Sequence, residues 1–471
     1  MRILYAADEA YPLFKIGGLG DVAGTLPKEL KNQATDISII IPGHPEISLL
    51  GQNWTEENSF NVNYDNEDLR IKIVKGLLPE TNIPVFLVQE NKYISQKTDA
   101  SDNHADKFTV FSFAVSKWLS LIENKFDIIH LNDWHTALIP VISAHIYEEK
   151  EQKYLLTIHN LMYQGATSTP ILQKLRLPKE KCHILKWDSQ DDHINILLEG
   201  LLHVDAINTV SKNYVKEILT SEYGERIEKI IKTRKRDLFG ILNGLDTTVF
   251  DPKIDKHIYQ NFDVNTHIEG KKNNKSKLQQ ELRLEQDTGK VLLGFVGRVD
   301  PGQKGVQLII EALNQRKLIS DNLQFVFLGT GDPDLETQLH QVSQDRRNVR
   351  VITRYDEPLA AKIYAASDLF IIPSRFEPCG LIQLIAMKYG SIPIARSTGG
   401  LKDTIRHQET GFLFNEYSTE AMVNSLNEAI ETIKNENTKN EMITRGMRQD
   451  FSWVKSAKEY ISLYKKILEN K

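Results

Sequence analysis

Short apolar runs that end in Gly, Asn, Asp or His alternate along the chain with helical patterns. Ile3–Ala7, Ile37–Ile41, Phe126–Leu131, Leu155–Ile158 and Ala206–Val210 have the length and composition of buried parallel strands. Before the third of these, Asp106–Glu123 carries Phe108, Phe111, Val115, Trp118, Leu119 and Ile122 at helical spacing. The alternation restarts in the second half with Val291–Val296, Phe325–Leu328, Val349–Ile352, Leu369–Ile372 and Ile392–Ala395. Val306–Leu313 and Leu381–Lys388 read as helices between them. Strand–helix alternation predicts an α/β protein, with parallel sheets covered by helices on both faces. Between the halves, Asp251–Lys277 is polar and carries Lys271-Lys272-Asn273-Asn274-Lys275. It reads as a solvated loop and helix start, with a domain change near Asn243–Pro252. Ligands of open parallel sheets bind beyond the carboxyl ends of the strands, so two such domains facing each other would form a cleft.

Size and composition narrow this picture. A chain of 471 residues suits two or three domains of roughly 100–200 residues each. A hydrophobic content of 41% and a charged content of 26% are ordinary for a globular protein. The formal net charge of -5 argues against a general nucleic-acid binder, though local Lys and Arg clusters can still hold a small anion. Two cysteines, Cys182 and Cys379, make a disulfide framework improbable and fit a reducing, cytoplasmic setting. The apolar start Met1–Ala7 reaches Asp8-Glu9 too soon for a signal peptide and reads as a first buried strand. No apolar run approaches the ~20 residues that span a bilayer, so no membrane association is expected.

Candidate chemistry sits where the strands end. Lys15-Ile16-Gly17-Gly18-Leu19-Gly20-Asp21-Val22 follows the first strand and opens a helical stretch, Val22–Leu30. Adjacent glycines let N–H groups approach an anion, a helix N-terminus favours negative charge, and Lys15 adds a full positive one. The pattern is neither a dinucleotide fingerprint nor a P-loop, and on its own it also fits a plain glycine-rich turn. His130-Leu131-Asn132-Asp133-Trp134-His135 and Thr157-Ile158-His159-Asn160 place polar groups past two more strands, without zinc spacing or a serine or cysteine nucleophile motif. In the second half Gly297-Arg298 and Gln303-Lys304-Gly305 could meet a diphosphate, Arg as a fork and Lys as a point charge. Arg375-Phe376-Glu377-Pro378-Cys379-Gly380-Leu381 puts a carboxylate on a strand-to-helix turn, with Cys379 packed beneath it. Thr398-Gly399-Gly400-Leu401 repeats the glycine pattern of the first loop.

Taken in order, these stretches resemble the bacterial glycogen synthases and plant starch synthases. The likeness is carried by Lys15–Val22, His130–His135, Thr157–Gly165, Gly240–Asp246, Gly297–Gly305, Pro373–Leu381 and Thr398–Thr404, and it runs through nearly the whole chain. Ser452-Trp453 and the helix to Leu468 resemble the family's C-terminal segment, which crosses back to the N-terminal domain. The resemblance implies a GT-B fold: an N-terminal Rossmann-like acceptor domain at 1–245, a nucleotide-sugar domain at 246–450, and a returning helix at 451–471. It implies retaining transfer of glucose from ADP-glucose to the non-reducing end of an α-1,4-glucan, glycogen or a malto-oligosaccharide. No cofactor or metal is implied, and no Asp-x-Asp motif stands at a strand end.

By position, Lys15, Gly17, Gly18 and Asn243 are expected at the donor. Arg298 and Lys304 are expected to stabilise the departing diphosphate, and Thr398, Gly399 and Gly400 to offer it N–H groups. His159 and Asp133 would border the glucosyl ring, Glu377 would hold glucose hydroxyls, and Tyr355 would face the adenine. The sequence departs from the family pattern at four places. Arg298 and Lys304 are one residue further apart than usual, Gly224-Glu225-Arg226-Ile227 lacks a usual second glycine, Leu198 replaces a common Lys, and Phe250 replaces a common Trp. Ile385 stands where many GT-B enzymes have a second Glu, as is usual in glycogen synthases. Two alternatives remain open at this level: the same fold with another donor such as UDP-glucose, and a glucan-binding or regulatory protein without catalysis.

Overall fold

The computed structural model describes residues 1–47, 53–97, 104–149, 151–177, 187–318, 320–344 and 346–469; Cys182 lies outside them. The chain divides into two compact units, Met1–Gly244 with Trp453–Lys471, and Leu245–Ser452.

The first unit is built on a nine-stranded sheet. Its strands are β1 (Arg2–Ala6), β2 (Asp36–Pro42), β3 (Thr55–Tyr64), β4 (Glu67–Leu77), β5 (Pro84–Gln89), β6 (Ile128–Asn132), β7 (Lys153–Ile158), β10 (Ala206–Thr209) and β11 (Leu238–Gly240). A separate antiparallel pair, β8 (Ala166–Ser168) and β9 (His193–Asn195), lies between them in sequence. The order in the sheet is β11-β10-β7-β6-β1-β2-β5-β4-β3. The central strands are parallel and apolar on both faces because helices cover both. Leu4, Ile40, Ile129 and Leu156 pack with Phe108, Phe111 and Trp118 of the helix Ala105–Leu121. On the other face Ile3, Tyr5, Ile37 and Ile39 pack with Val22, Leu26 and Leu30 of the helix Gly18–Asn32. The same face receives Trp453, Tyr460, Leu463 and Tyr464 of the C-terminal helix Trp453–Glu469, whose Ser456 hydroxyl donates to Leu242 O at 2.6 Å.

The hairpin β3–β4 carries no continuous apolar run, which is why the apolar-run reading does not find it. Its burial alternates residue by residue, as in a sheet edge with one wet face. Asp65 and Asn66 at its turn have φ of 54° and 61°, the signature of a two-residue turn matched to strand twist.

The second unit holds a six-stranded parallel sheet of β12 (Val291–Val296), β13 (Leu323–Leu328), β14 (Val349–Ile352), β15 (Leu369–Ile372), β16 (Ile392–Arg396) and β17 (Phe412–Phe414). Their order is β14-β13-β12-β15-β16-β17. The lysine-rich run ahead of it is not a solvated loop. It lies inside the helix His267–Glu281, and Lys271 and Lys275 are buried. Their spacing of four residues sets both on the face that also carries Leu278. Lys271 Nζ donates to Ala365 O and Tyr389 O at 3.0 and 3.1 Å. Lys275 Nζ meets Asp368 Oδ2 at 2.6 Å, and Lys439 Nζ meets the other oxygen at 3.0 Å.

Where the resembled family has a glycine, Glu225 and Arg226 both take left-handed conformations, with φ of 47° and 70°. Leu198, in place of a lysine, is buried in the first unit's core.

Burial alone would raise the Asp368 carboxyl, but Lys275, Lys439 and the Leu292 N–H outweigh it and hold the group at about 2. The folded value lies below the ordinary value of about 3.9, so this carboxylate's contribution is complete above that value and is lost as pH falls from about 4 toward 2. Asp368→Ala strands two ammonium groups in the interior and should lower the unfolding free energy by roughly 3–5 kcal/mol. A reduced urea midpoint at neutral pH is the check.

Candidate active site

Because β1, β6 and β7 are parallel neighbours, their carboxyl ends bring Asp8 and Glu9, Asn132 and Asp133, and His159 together. Glu9 is 5% exposed and accepts hydrogen bonds from the N–H groups of Ile16, Gly17 and Gly20, with Gly17 N at 2.9 Å. This corrects one expectation: the Gly17 N–H expected to approach a donor anion is held by an internal carboxylate, because Glu9 lies inside the curl of the loop. Lys15 Nζ pairs with Asp21 Oδ1 at 2.7 Å and remains about one-third exposed.

Asp133 adopts φ 54° and ψ −173°, a conformation that disfavours most side chains. Its Oδ1 accepts the His159 N–H at 2.7 Å, tying the β6 end to the β7 end. Burial first, and then the charges of Glu9 and Asp8, push the Asp133 carboxyl up to about 7 against two backbone hydrogen bonds. The Asn132 amide fixes the histidine next to it. Asn132 Nδ2 donates to Ala6 O at 2.9 Å, so Oδ1 is left to accept from Tyr5 OH at 3.0 Å and from His159 Nε2 at 2.9 Å. His159 therefore carries its proton on Nε2 and offers Nδ1 as an acceptor. Burial and the nearby His135 lower it to about 3, so it is neutral at physiological pH.

Three residues that the strand-end reading passes over complete this corner. His44 Nε2 lies 2.7 Å from Asp8 O and 3.1 Å from Asp8 Oδ1, and its Nδ1 is 3.2 Å from Lys107 Nζ. Phe14 stacks on the His44 ring at 3.8 Å. Lys107 is 1% exposed and is lowered by burial to about 8, against the pull of Asp8 and Glu46. Only the presence of a charge among helix residues that otherwise face the core signals Lys107 in the sequence. His130 belongs to the scaffold: it is fully buried between Tyr464 OH at 2.7 Å and Thr157 Oγ1 at 2.8 Å. Asn243 is 8% exposed and its Oδ1 is buried without a hydrogen-bond partner among the described residues.

The second unit repeats the arrangement at the ends of β12, β15 and β16. Glu377 is 5% exposed, and its Oε2 receives Lys304 Nζ at 2.7 Å and the Ser374 hydroxyl at 3.1 Å. Lys304 reaches it from a turn wound around Asp300, whose Oδ1 gathers the N–H groups of Gly302, Gln303 and Lys304. Arg298 Nη2 donates to Gln303 Oε1 at 3.0 Å, and its side chain is 55% exposed. Tyr355 follows β14, is 75% exposed, and bonds Glu357 through its hydroxyl.

The paired glycines have a different reason from the one expected. Gly400 N donates to Glu377 O at 3.0 Å and Thr398 N to Arg396 O at 2.9 Å, so these two N–H groups are turned to the protein, not to a phosphate. A Cβ on Gly399 would lie 1.9 Å from Glu377 O, and one on Gly400 2.0 Å from Cys379 O. Glycine is required here so that the Thr398 loop can press against the Glu377 turn and fix its backbone. Cys379 is buried in that contact.

Two Rossmann-like units with polar groups gathered at the strand ends define the class as a glycosyltransferase of GT-B fold. The Starch synthase catalytic domain family matches residues 2–233, and the Glycosyl transferases group 1 family matches residues 290–432. The chain is 36% identical to the glycogen synthase of Thermosipho melanesiensis over 487 residues, covering all of both chains. It is 38% identical to that of Kosmotoga olearia, covering 100% of this chain and 98% of the relative. Among solved structures, the catalytic domain of starch synthase IV from Arabidopsis thaliana, bound to ADP and acarbose, aligns with a TM-score of 0.88 at 31% identity, covering 100% and 99% of the two chains. Sucrose-phosphate synthase from Thermosynechococcus elongatus shares the fold at a TM-score of 0.64 and 16% identity. The chain belongs to the glycogen and starch synthase family.

Two substitutions test this geometry. Asp133→Asn keeps an acceptor for the His159 N–H and a residue type tolerant of positive φ, while removing a buried charge. A folded carboxyl raised to about 7 costs stability as pH rises from about 4 through 7, so the variant should unfold later than the parent at pH 8, by up to about 4 kcal/mol, with the gain vanishing toward pH 4. Paired urea titrations at the two pH values decide it. Gly400→Ala must push the Glu377 turn aside, and a displacement near 1 Å there should cost about 10²-fold in transfer rate with unchanged circular dichroism.

Proposed function

We propose that the enzyme elongates glycogen or a malto-oligosaccharide with glucose from ADP-glucose, retaining the anomeric configuration and using no metal or cofactor. The observation that carries this reading is the Glu377 turn: a buried carboxylate bonded to the lysine expected at the donor diphosphate. In the resting chain each group compensates the other's charge. Donor phosphates offer Lys304 a stronger anion, and Glu377 is then released to accept hydrogen bonds from glucose hydroxyls. Arg298 adds a second, exposed cation for the diphosphate, and Tyr355 an exposed ring for the base. Asp133 and the neutral His159 supply acceptor atoms beside the sugar as positive charge develops at the anomeric carbon. Full-length likeness to glycogen synthases supports the glucan acceptor, and the starch synthase IV structure solved with ADP supports the adenine donor. Among the described residues no helix is long and apolar enough to cross a membrane.

Purified protein should transfer labelled glucose from ADP-glucose to glycogen, with UDP-glucose a poor competitor. No transfer from ADP-glucose, or preference for UDP-glucose, would refute the assignment. Glu377→Ala and Lys15→Ala should each reduce turnover on the order of 10²–10³-fold. Near-normal turnover in either variant removes that residue from the site.

A further inference from the structure

The amino ends of β12 and β15, opposite those that lead to Arg298 and Glu377, border a cavity of about 240 Å³. Four lysines line it, Lys271, Lys272, Lys275 and Lys439, against two carboxylates, Asp368 and Glu436. The wall thus carries a formal surplus of two positive charges, and Lys271, Lys275 and Asp368 are all more than nine-tenths buried. Buried charge of one sign is costly unless it is compensated. Lys271 shows the strain: burial, then Lys439 and Lys275, lower it to about 7 in spite of Asp368. The donors are not exhausted either. An ammonium has three N–H groups, and Lys275 uses two, on Thr288 O at 3.0 Å and Asp368 at 2.6 Å. Lys439 reaches Asp368 at 3.0 Å and Glu436 only at 4.0 Å.

His267 sharpens the chemistry. It also lines the cavity and is 5% exposed. Its Nδ1 is engaged by Val264 O at 2.9 Å, which makes that nitrogen the donor and leaves Nε2 as an acceptor. Nε2 is buried and has no hydrogen-bond partner among the described residues. An occupant that reaches His267 Nε2 would donate one hydrogen bond to it, besides accepting from the ammonium groups.

We propose that this cavity is a binding site for inorganic phosphate. Hydrogenphosphate is an anion facing a wall with more lysines than carboxylates, and its oxygens accept from Lys272, Lys275 and Lys439. Its P–OH supplies the donor that His267 Nε2 lacks, which sulfate cannot do. The volume falls below the roughly 300–1,000 Å³ of pockets that take larger ligands, which favours the free ion over a nucleotide. The occupant would sit at the root of the two strands whose other ends carry Arg298 and Glu377.

The test is calorimetric titration of the full chain with inorganic phosphate, in the presence of ADP to occupy the donor phosphate region. One phosphate per chain should bind, and sulfate at matched ionic strength should bind at least fivefold more weakly. Lys272 is exposed at the cavity mouth and outside the catalytic residues, so Lys272→Glu should weaken phosphate at least tenfold while leaving phosphate-free transfer and the melting temperature unchanged. His267→Leu, which removes the acceptor, should erase the preference for phosphate over sulfate. Failure of phosphate to bind beside ADP, an isotherm indifferent to Lys272→Glu, or equal affinity for sulfate would overturn the proposal. The Lys272→Glu arm does not depend on ADP occupying the donor region, so a wrong donor assignment and a wrong phosphate site give different results.

Discussion

A carboxylate buried at the end of a parallel strand must find hydrogen-bond donors, and the loops of this protein are shaped by that requirement. Glu9 gathers three N–H groups of the lysine–glycine loop, Asp133 holds the start of the segment after β7, and Asp300 winds the segment that delivers Lys304. Glu377 is held by Lys304 and Ser374 and is the one of the four whose main partner is itself a long charged side chain. Leaving any of these groups unsatisfied would cost about 1–3 kcal/mol or more. The loops are consequently pinned before any substrate arrives, which is the condition for electrostatic stabilisation without reorganisation.

The same principle assigns protonation. His159 is neutral because it is buried beside His135, and its proton sits on Nε2 because the Asn132 amide, itself oriented by Ala6 O, leaves no other arrangement. Asp133 is pushed to about 7 chiefly by burial, and then by the two further carboxylates that share its corner. Farther back, His44 and Lys107 set the environment of Asp8 through contacts that span 36 and 63 residues of sequence. Lys275 and Lys439 do the same for Asp368 at the amino end of β15, in the middle of the second sheet.

Apolar runs and the residues that follow them were enough to read the parallel strands, the two-unit division and the residues at the strand ends, because a strand covered on both faces writes its burial into composition. The family was legible for the same reason: Lys15, Asp133, His159, Arg298, Lys304 and Glu377 lie on segments that leave the carboxyl ends of strands, so sequence order fixes their place. What a run of letters could not give is any partner set by packing. Only the folded chain turns Gly17 N–H to Glu9, presses Gly399 and Gly400 against the Glu377 turn, and buries Lys271 and Lys275 in a helix that composition marked as solvated. The hairpin β3–β4 was missed because alternating burial lowers apolar density. Periodicity and strand ends are local properties and therefore belong to the sequence. Charge compensation and close backbone approach join residues far apart in the chain, and tertiary structure alone decides them.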